Sequence, residues 1–158
     1  MTQLECVLLV GLQASGKTTF FRQEFVSTHQ HVSKDNFPNL RHRDTRQLAL
    51  VRAALLAGRS VVVDNTNATP AERRAVIEIA RALGARVVGY YFESTRSESL
   101  GRNRLREGKA RVPDVAILAT AKRLVPPTLA EGFDEIHHVR LTDAGTFEER
   151  VEEPQTRS

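Results

Sequence analysis

Residues 11–18, of sequence GLQASGKT, constrain this chain more than any other segment, because they match the phosphate-binding loop pattern G-x-x-x-x-G-K-[ST] in full. Glycines at both ends of such a loop permit a tight turn, in which successive backbone N–H groups point inward at phosphate oxygens. In this pattern Lys17 reaches the β- and γ-phosphates, and the Thr18 hydroxyl is a ligand of Mg²⁺. We therefore expect the chain to bind a nucleoside triphosphate, ATP, together with Mg²⁺.

The flanking residues have the composition that a phosphate-binding loop needs. Residues 6–10 are a short apolar run typical of a buried strand, and residues 19–26 can form a helix whose N-terminus adds its dipole to phosphate binding. The predicted nucleotide-binding residues are Gly11, Ala14, Ser15, Gly16, Lys17, Thr18 and Thr19.

Strand and helix patterns alternate along the rest of the chain. Strands are predicted at 31–34, 60–64, 86–92 and 135–141, and helices are predicted to begin at capping boxes led by Asp44, Thr69 and Thr95, with a further helix over 114–124. This alternation predicts an α/β fold of the P-loop kinase type: a three-layer sandwich with a mostly parallel five-stranded sheet and helices on both faces. We expect one kinase domain over 1–142, and a polar, partly disordered tail over 143–158.

Composition narrows the class of protein only slightly. The 158 residues suffice for one domain, and a single cysteine, Cys6, excludes a disulfide framework and any multi-cysteine metal site. The net charge of +4 favours anionic partners, although ATP alone is such a partner. The first apolar run is too short for a signal peptide or a membrane span, so we expect a cytoplasmic protein with no membrane contact.

Two aspartates follow predicted strands and are candidates for the chemistry. Asp35 comes after the extended segment 31–34, and Asp64 closes the apolar strand 60–64. Ligands of parallel sheets bind beyond the carboxyl ends of the strands, so both carboxylates are expected near the γ-phosphate if their strands flank the first one. One can accept the proton of an attacking hydroxyl, and the other can serve the Mg²⁺ site or orient the nucleophile. The residues alone leave that allocation open.

Arginines crowd into the segment 102–111. Arg102 and Arg106 are four residues apart, so a helix through both would place their guanidinium groups on one face. Permanently charged, planar guanidinium groups suit a transferring phosphoryl group. We expect this segment to form an Arg-rich lid over ATP.

Taken together, five segments resemble the kinase domain of polynucleotide 5′-hydroxyl kinases over nearly the whole chain. They are the P-loop, the VSKD of 32–35, the DNTN of 64–67, the RNRLR of 102–106 and the PTLAEGF of 127–133. The resemblance implies that Asp35 is the general base, that Arg102 and Arg106 engage the donor phosphates, and that Asp64 lies close to the acceptor. The predicted catalytic residues are thus Lys17, Asp35, Arg102 and Arg106; the substrate-binding residues Asp35, Asp64, Asn65, Asn67 and Arg43; and the metal-binding residues Thr18 and Asp64.

The chain departs from the family pattern around the base. The family typically has Asn-Arg-Asp where this chain has Ser33-Lys34-Asp35, so an arginine fork is replaced by a lysine. Some members carry an arginine shortly after the base that grips the acceptor phosphate. Here Arg41, Arg43 and Arg46 are the candidates, with Arg43 taken into the predicted set.

The expected function is transfer of the γ-phosphate of ATP to the 5′-hydroxyl end of DNA or RNA, in nucleic-acid end repair. Nothing in the chain supplies the phosphatase or ligase module that many relatives carry, so a separate partner enzyme is expected. The alternatives are a kinase of a small-molecule hydroxyl and a nucleotide-binding regulatory module. A GTPase-like switch is disfavoured because the Asn-Lys-x-Asp pattern is absent.

Overall fold

The computed structural model describes residues 3–37 and 41–152, which form one α/β unit built on a single sheet. The strands are β1 (Glu5–Gly11), β2 (His29–Val32), β3 (Ser60–Asp64), β4 (Arg86–Phe92), β5 (Glu135–Leu141) and β6 (Phe147–Glu152). The helices are α1 (Lys17–Glu24), α2 (Arg43–Leu56), α3 (Pro70–Ala82), α4 (Arg96–Arg104) and α5 (Asp114–Arg123). Their order confirms the predicted P-loop kinase-like α/β class.

The sheet has the strand order β2-β3-β1-β4-β5-β6, and its first five strands run parallel. Strand β1 lies between β3 and β4 and is apolar from Cys6 to Val10, where both of its faces are covered. On one face its side chains pack with α2 and α3; on the other they pack with the α1 phenylalanines Phe20, Phe21 and Phe25. Helices therefore cover both faces, as predicted.

A sixth strand corrects the expected count of five. Strand β6 pairs antiparallel with β5, inside the segment predicted to be a polar tail, while residues 153–158 lie outside the described ranges. Phe147 anchors β6 through edge-to-face packing on Phe20, with ring centroids 5.1 Å apart. Across the pair, His138 Nε2 lies 3.1 Å from a Glu152 oxygen. Cross-strand polar pairs of this kind stabilise a strand whose sequence lacks an apolar alternation, so its polar composition did not predict a strand.

Helix ends also differ from the expectation at two places. Helix α2 begins two residues early, at Arg43 with His42 (φ 58°) at the N-cap position, so the predicted Asp44 cap is wrong. The Asp44 carboxylate instead pairs with Lys34 Nζ at 2.5 Å. The Thr95 capping box is confirmed, but α4 ends at Arg104, short of Arg106.

Arg73, on α3, is a fully buried cation that ties three separate segments together. Its guanidinium makes a two-point ion pair with Glu131, and it also donates to the carbonyls of Asn67 at 2.7 Å and Val125 at 3.1 Å. Glu131 in turn accepts from the Thr128 N–H. The PTLAEGF segment thus supplies the counter-ion of a buried arginine that holds the loop after β3.

We expect Arg73→Met to lower the free energy of unfolding by about 3–5 kcal/mol, because it leaves the Glu131 carboxylate without its cation. Denaturant unfolding followed by circular dichroism measures this loss. Arg74→Ala is the matched control. Arg74 is the exposed neighbour of Arg73, so its replacement should change the free energy of unfolding by no more than about 0.5 kcal/mol. Equal losses in the two variants would contradict the assigned role.

Candidate active site

The loop between β1 and α1 has the backbone shape of an anion-binding nest. Ala14 and Gly16 both take left-handed conformations, with φ of 60° and 99°. At Gly11 a side chain is excluded by space, because a Cβ atom there would lie 3.1 Å from the carbonyl oxygen of Phe92. Lys17 is the first residue of α1, so the loop delivers the helix N-terminus directly to the site.

The ammonium group of Lys17 lies buried at the floor of this loop. It donates to the carbonyl oxygens of Gly11 and Leu12 at 2.9 and 2.7 Å. Burial, the largest influence, and the charge of Arg106 lower the pKa of Lys17, while the carboxylates of Asp64 and Asp35 raise it; together they bring the pKa from 10.5 to about 8. The lysine is thus a cation held at high electrostatic cost, which an anion in the loop would relieve.

Asp64, at the end of β3, is a buried carboxylate with hydrogen-bond donors on one oxygen. The Thr18 hydroxyl donates to Oδ2 at 2.9 Å and His31 Nε2 donates to the same oxygen at 2.8 Å. Burial, the largest influence, raises the pKa of Asp64, but the bonds from His31 and Thr18 and the charge of Lys17 together hold it below its usual value. Asp64 is therefore ionised, and sequence reasoning missed its partner His31.

The residues beside Lys17 fit a magnesium-bound triphosphate. Buried Ser15 Oγ has no hydrogen-bond partner within the described residues, so it is free to meet a phosphate oxygen. The Thr18 hydroxyl and the Asp64 carboxylate are hard oxygen donors of the kind Mg²⁺ prefers. Residues 3–37 and 41–152 contain no group of three or more His, Cys, Asp or Glu that could hold a metal.

Asp35 lines one cleft together with Lys17 and Asp64. It lies on a short 3-10 turn, Lys34–Asn36. Its side chain is exposed, and its backbone N–H donates to Ser33 Oγ at 3.3 Å. Strand β3 pairs directly with β1, whereas β2 lies one strand further out, so Asp64 sits beside the P-loop and Asp35 sits beyond it. The cleft has a volume of about 580 Å³, and its charged lining residues are Lys17, Arg22, Asp35, Arg43, Asp64, Arg106 and Lys109.

The structure separates the two arginines predicted to form the lid. Arg106 lines the cleft from the loop that follows α4, while Arg102 does not belong to the lining. The Arg102 guanidinium donates to the Leu141 carbonyl at 3.3 Å and lies 3.6 Å from the Glu98 carboxylate. The expectation that one helix face carries both side chains is wrong, because the helix ends between them.

The two asparagines of the DNTN segment are engaged by the protein itself. Asn67 is buried and donates to the carbonyls of Leu9 and Val63 at 2.7 and 3.4 Å. Asn65 accepts from the Lys34 N–H at 3.0 Å and donates to the Gln47 side chain. Both side chains are thus held in place by the protein. Asn65 also lines the cleft, and the contact of the two asparagines with substrate stays a prediction.

Three further cations, Arg22, Arg43 and Lys109, line the cleft. Arg43, predicted as a substrate contact, lines the cleft, and its buried Nε has no partner in the described part of the chain. Arg22 and Lys109 also line it and were not predicted. For Arg22 the available signal was its position four residues after Thr18, on the same helix face.

Comparison with known proteins shows the family of the chain. The AAA domain family matches residues 6–127. The chain belongs to this family. It is 28% identical over 141 residues to a bifunctional polynucleotide phosphatase/kinase of Schizosaccharomyces pombe, covering 85% of the chain and 33% of that protein. The chain therefore spans about a third of the length of this curated relative.

Solved structures show that the fold is that of P-loop kinases. A fungal RNA kinase superposes with a TM-score of 0.64 at 20% identity, covering 90% of the chain and 40% of that structure. A sugar kinase from Janibacter sp. HTCC2649 also gives 0.64, at 18% identity, covering 85% of each chain. None of the helices in the described ranges is long and apolar enough to cross a membrane.

The lowered pKa of Lys17 predicts that nucleotide affinity depends on pH. We expect ADP affinity to fall as pH rises above about 8, by up to about tenfold per pH unit, because the neutral amine no longer attracts the phosphates. Without nucleotide, the protein should become more stable between pH 8 and 10.5, where only the unfolded chain keeps this proton.

Calorimetric titration with ADP across this pH range measures the first effect. Lys17→Met should abolish the pH dependence. Asp64→Asn should move its onset to lower pH, because the Asp64 carboxylate raises the pKa of Lys17. Affinity in the native sequence that is the same on both sides of pH 8 would contradict the assignment.

Proposed function

We propose that this protein is an ATP-dependent polynucleotide 5′-hydroxyl kinase that phosphorylates ends of DNA or RNA in end repair. The observation that carries the proposal is the position of Asp35, an exposed carboxylate that shares one cleft with the P-loop lysine and with the cations Arg22, Arg43, Arg106 and Lys109. An exposed base can reach a hydroxyl at the end of a large acceptor, because the acceptor does not have to fit inside a closed pocket. The phosphatase/kinase relative supports the same reading.

The charge of the cleft favours a polyanionic acceptor. Lys17 and Arg106 suffice to face the donor phosphates, which leaves Arg22, Arg43 and Lys109 as additional cations in the same lining. Cations that outnumber the carboxylates of the cleft suit phosphodiester groups of an acceptor strand, and a neutral sugar would leave them without a counter-charge.

In the proposed reaction, Asp35 removes the proton of the acceptor hydroxyl as the oxygen forms its bond to the γ-phosphorus. The bond from that phosphorus to the β–γ bridging oxygen breaks, and ADP leaves. Lys17, the N–H groups of the loop and Arg106 stabilise the charge on the transferring group. Thr18 and Asp64 would hold Mg²⁺, which neutralises negative charge on the donor phosphates when bound.

Transfer of labelled γ-phosphate from ATP to oligonucleotides that carry a 5′-hydroxyl tests the proposal. We expect label on the 5′ end, and we expect Asp35→Asn to reduce kcat by roughly 10²–10⁴-fold, because the general base is lost. Asp143→Asn, which removes an exposed carboxylate elsewhere, is the matched control and should retain full activity. Full activity in Asp35→Asn would remove the assigned base.

A kinase of a small-molecule hydroxyl is the second candidate, favoured by the sugar kinase that the chain matches over 85% of both lengths. Parallel assays with DNA, RNA, nucleosides and sugars distinguish the two. Transfer to a sugar or nucleoside but to no oligonucleotide would replace the proposed acceptor. ATP binding without transfer to any acceptor would indicate a regulatory module.

Arg102 and Arg106 allow a separate test of which arginine acts on the donor phosphates. Arg106→Ala should lower kcat by roughly 10²–10³-fold, because a cation facing the transferring phosphoryl group is removed. Arg102→Ala should cost less than Arg106→Ala, since its guanidinium lies against the Leu141 carbonyl and outside the cleft lining. Steady-state kinetics with saturating acceptor measure both, and a larger loss in Arg102→Ala would reverse the assignment.

A further inference from the structure

The first two turns of α2 contact the residues on either side of Asp35, Lys34 and Phe37. Asp44 pairs with Lys34 Nζ at 2.5 Å, and Arg43 donates to the Phe37 carbonyl at 3.3 Å. The guanidinium of Arg46 lies 4.7 Å from the centroid of the Phe37 ring. Three of the first four residues of α2 therefore contact the segment on which Asp35 sits.

Of the four α2 residues at this place, Arg43, Asp44, Arg46 and Gln47, only Gln47 is buried. Asp44 has 82% of its side chain exposed, so its ion pair with Lys34 contributes little. Gln47, by contrast, is buried, with 4% of its surface exposed. Its Oε1 accepts a hydrogen bond from Asn65 Nδ2. A buried amide that lost its partner would leave a polar group unsatisfied, so this bond fixes both side chains.

Asn65 passes this restraint on to the turn. Its amide is bonded at both ends, with Nδ2 on Gln47 and Oδ1 on the backbone N–H of Lys34, the residue before Asp35. Both partners favour this orientation of the amide, because reversing it would bring N–H to N–H at Lys34 and oxygen to oxygen at Gln47. By accepting from Nδ2, Gln47 thus helps to hold Oδ1 of Asn65 at the backbone N–H beside Asp35.

We propose that Gln47 is a positioning residue for Asp35, acting through Asn65 and the Lys34 N–H to hold the base at the acceptor hydroxyl. The inference rests on the proposed role of Asp35 as general base. Because Asp35 is exposed and its own side chain is not packed in place, its location depends on the backbone of the turn. A displacement of about 1 Å at a reacting group can cost on the order of 10²-fold in rate.

A double-mutant cycle between positions 47 and 35 tests the proposal. Gln47→Met keeps the length of the side chain and removes the acceptor, whereas Gln47→Glu keeps an acceptor for Asn65. We expect Gln47→Met to lower kcat by roughly 10–10²-fold with KM for ATP unchanged, and Gln47→Glu to recover most of that loss. In an Asp35→Asn background, Gln47→Met should change kcat by less than about twofold, because the group that it positions is already inactive.

Calorimetric titration with ADP and thermal unfolding accompany the cycle as controls for folding. If Gln47→Met does not fold, Gln47→Ser is the second variant, since its side chain is too short to reach Asn65. Losses at the two positions that multiply would overturn the proposal, because a general packing defect acts whether or not the base is present. Failure of Gln47→Glu to recover activity would also overturn it.

The cycle also separates this inference from the function on which it rests. If the native chain phosphorylates a sugar and no oligonucleotide, the polynucleotide acceptor is wrong, and the same cycle with that sugar still decides the role of Gln47. If the native chain phosphorylates oligonucleotides but the cycle is multiplicative, only the role of Gln47 is wrong. Absence of transfer to every acceptor would overturn both.

Discussion

The parallel pairing of β1 with β3 is the contact on which the site depends. In its register Leu9 lies opposite Asp64, so the P-loop begins at the same edge of the sheet where β3 delivers its carboxylate. The segment after β3 continues this association, since the Gly11 N–H donates to the Thr66 carbonyl at 3.0 Å and Asn67 donates to Leu9. The bond from Thr18 to Asp64 then follows directly from the sheet.

Charge is arranged across the cleft in two layers of different burial. At the floor, Lys17 and Asp64 are buried, and each is restrained by hydrogen bonds from its surroundings. At the rim, Asp35 is exposed, with Arg43 and Lys109 in the same lining. In the proposed reaction the rigid layer binds the donor, while the exposed layer receives the acceptor. The proposed donor and acceptor sites can differ in exposure because Asp64 ends β3, whereas Asp35 follows β2.

The loop after β3 connects the buried and the exposed parts of the site through its two asparagines. Asn67 is fixed to β1 and to Arg73, and Arg73 is fixed to Glu131, so the end of the PTLAEGF segment reaches the loop after β3 through one buried cation. Asn65 instead faces the turn of Asp35. Two asparagines two residues apart thus tie the same loop to the P-loop strand and to the proposed base.

Local pattern alone predicted the P-loop, the α/β class and the Thr95 cap, because each depends on residues close together in the chain. It mistook β6 for a tail and extended α4 to Arg106, because cross-strand pairing and the end of a helix depend on distant partners. Residue patterns made Asp35 and the two arginines candidates, and the resemblance to polynucleotide kinases assigned Asp35 the role of general base. It could not separate Arg102 from Arg106, since that separation follows from where α4 stops.

By itself, the sequence determined that the chain folds as a P-loop kinase-like domain and which residues form its phosphate loop, because loop geometry requires glycine and lysine at set spacings. Only the tertiary structure decided that His31 bonds to Asp64, that Asn67 bonds to the Leu9 carbonyl, and that Asn65 bonds to Gln47. Each of these bonds joins residues far apart in the chain, and local pattern carries no information on which buried polar group will meet which.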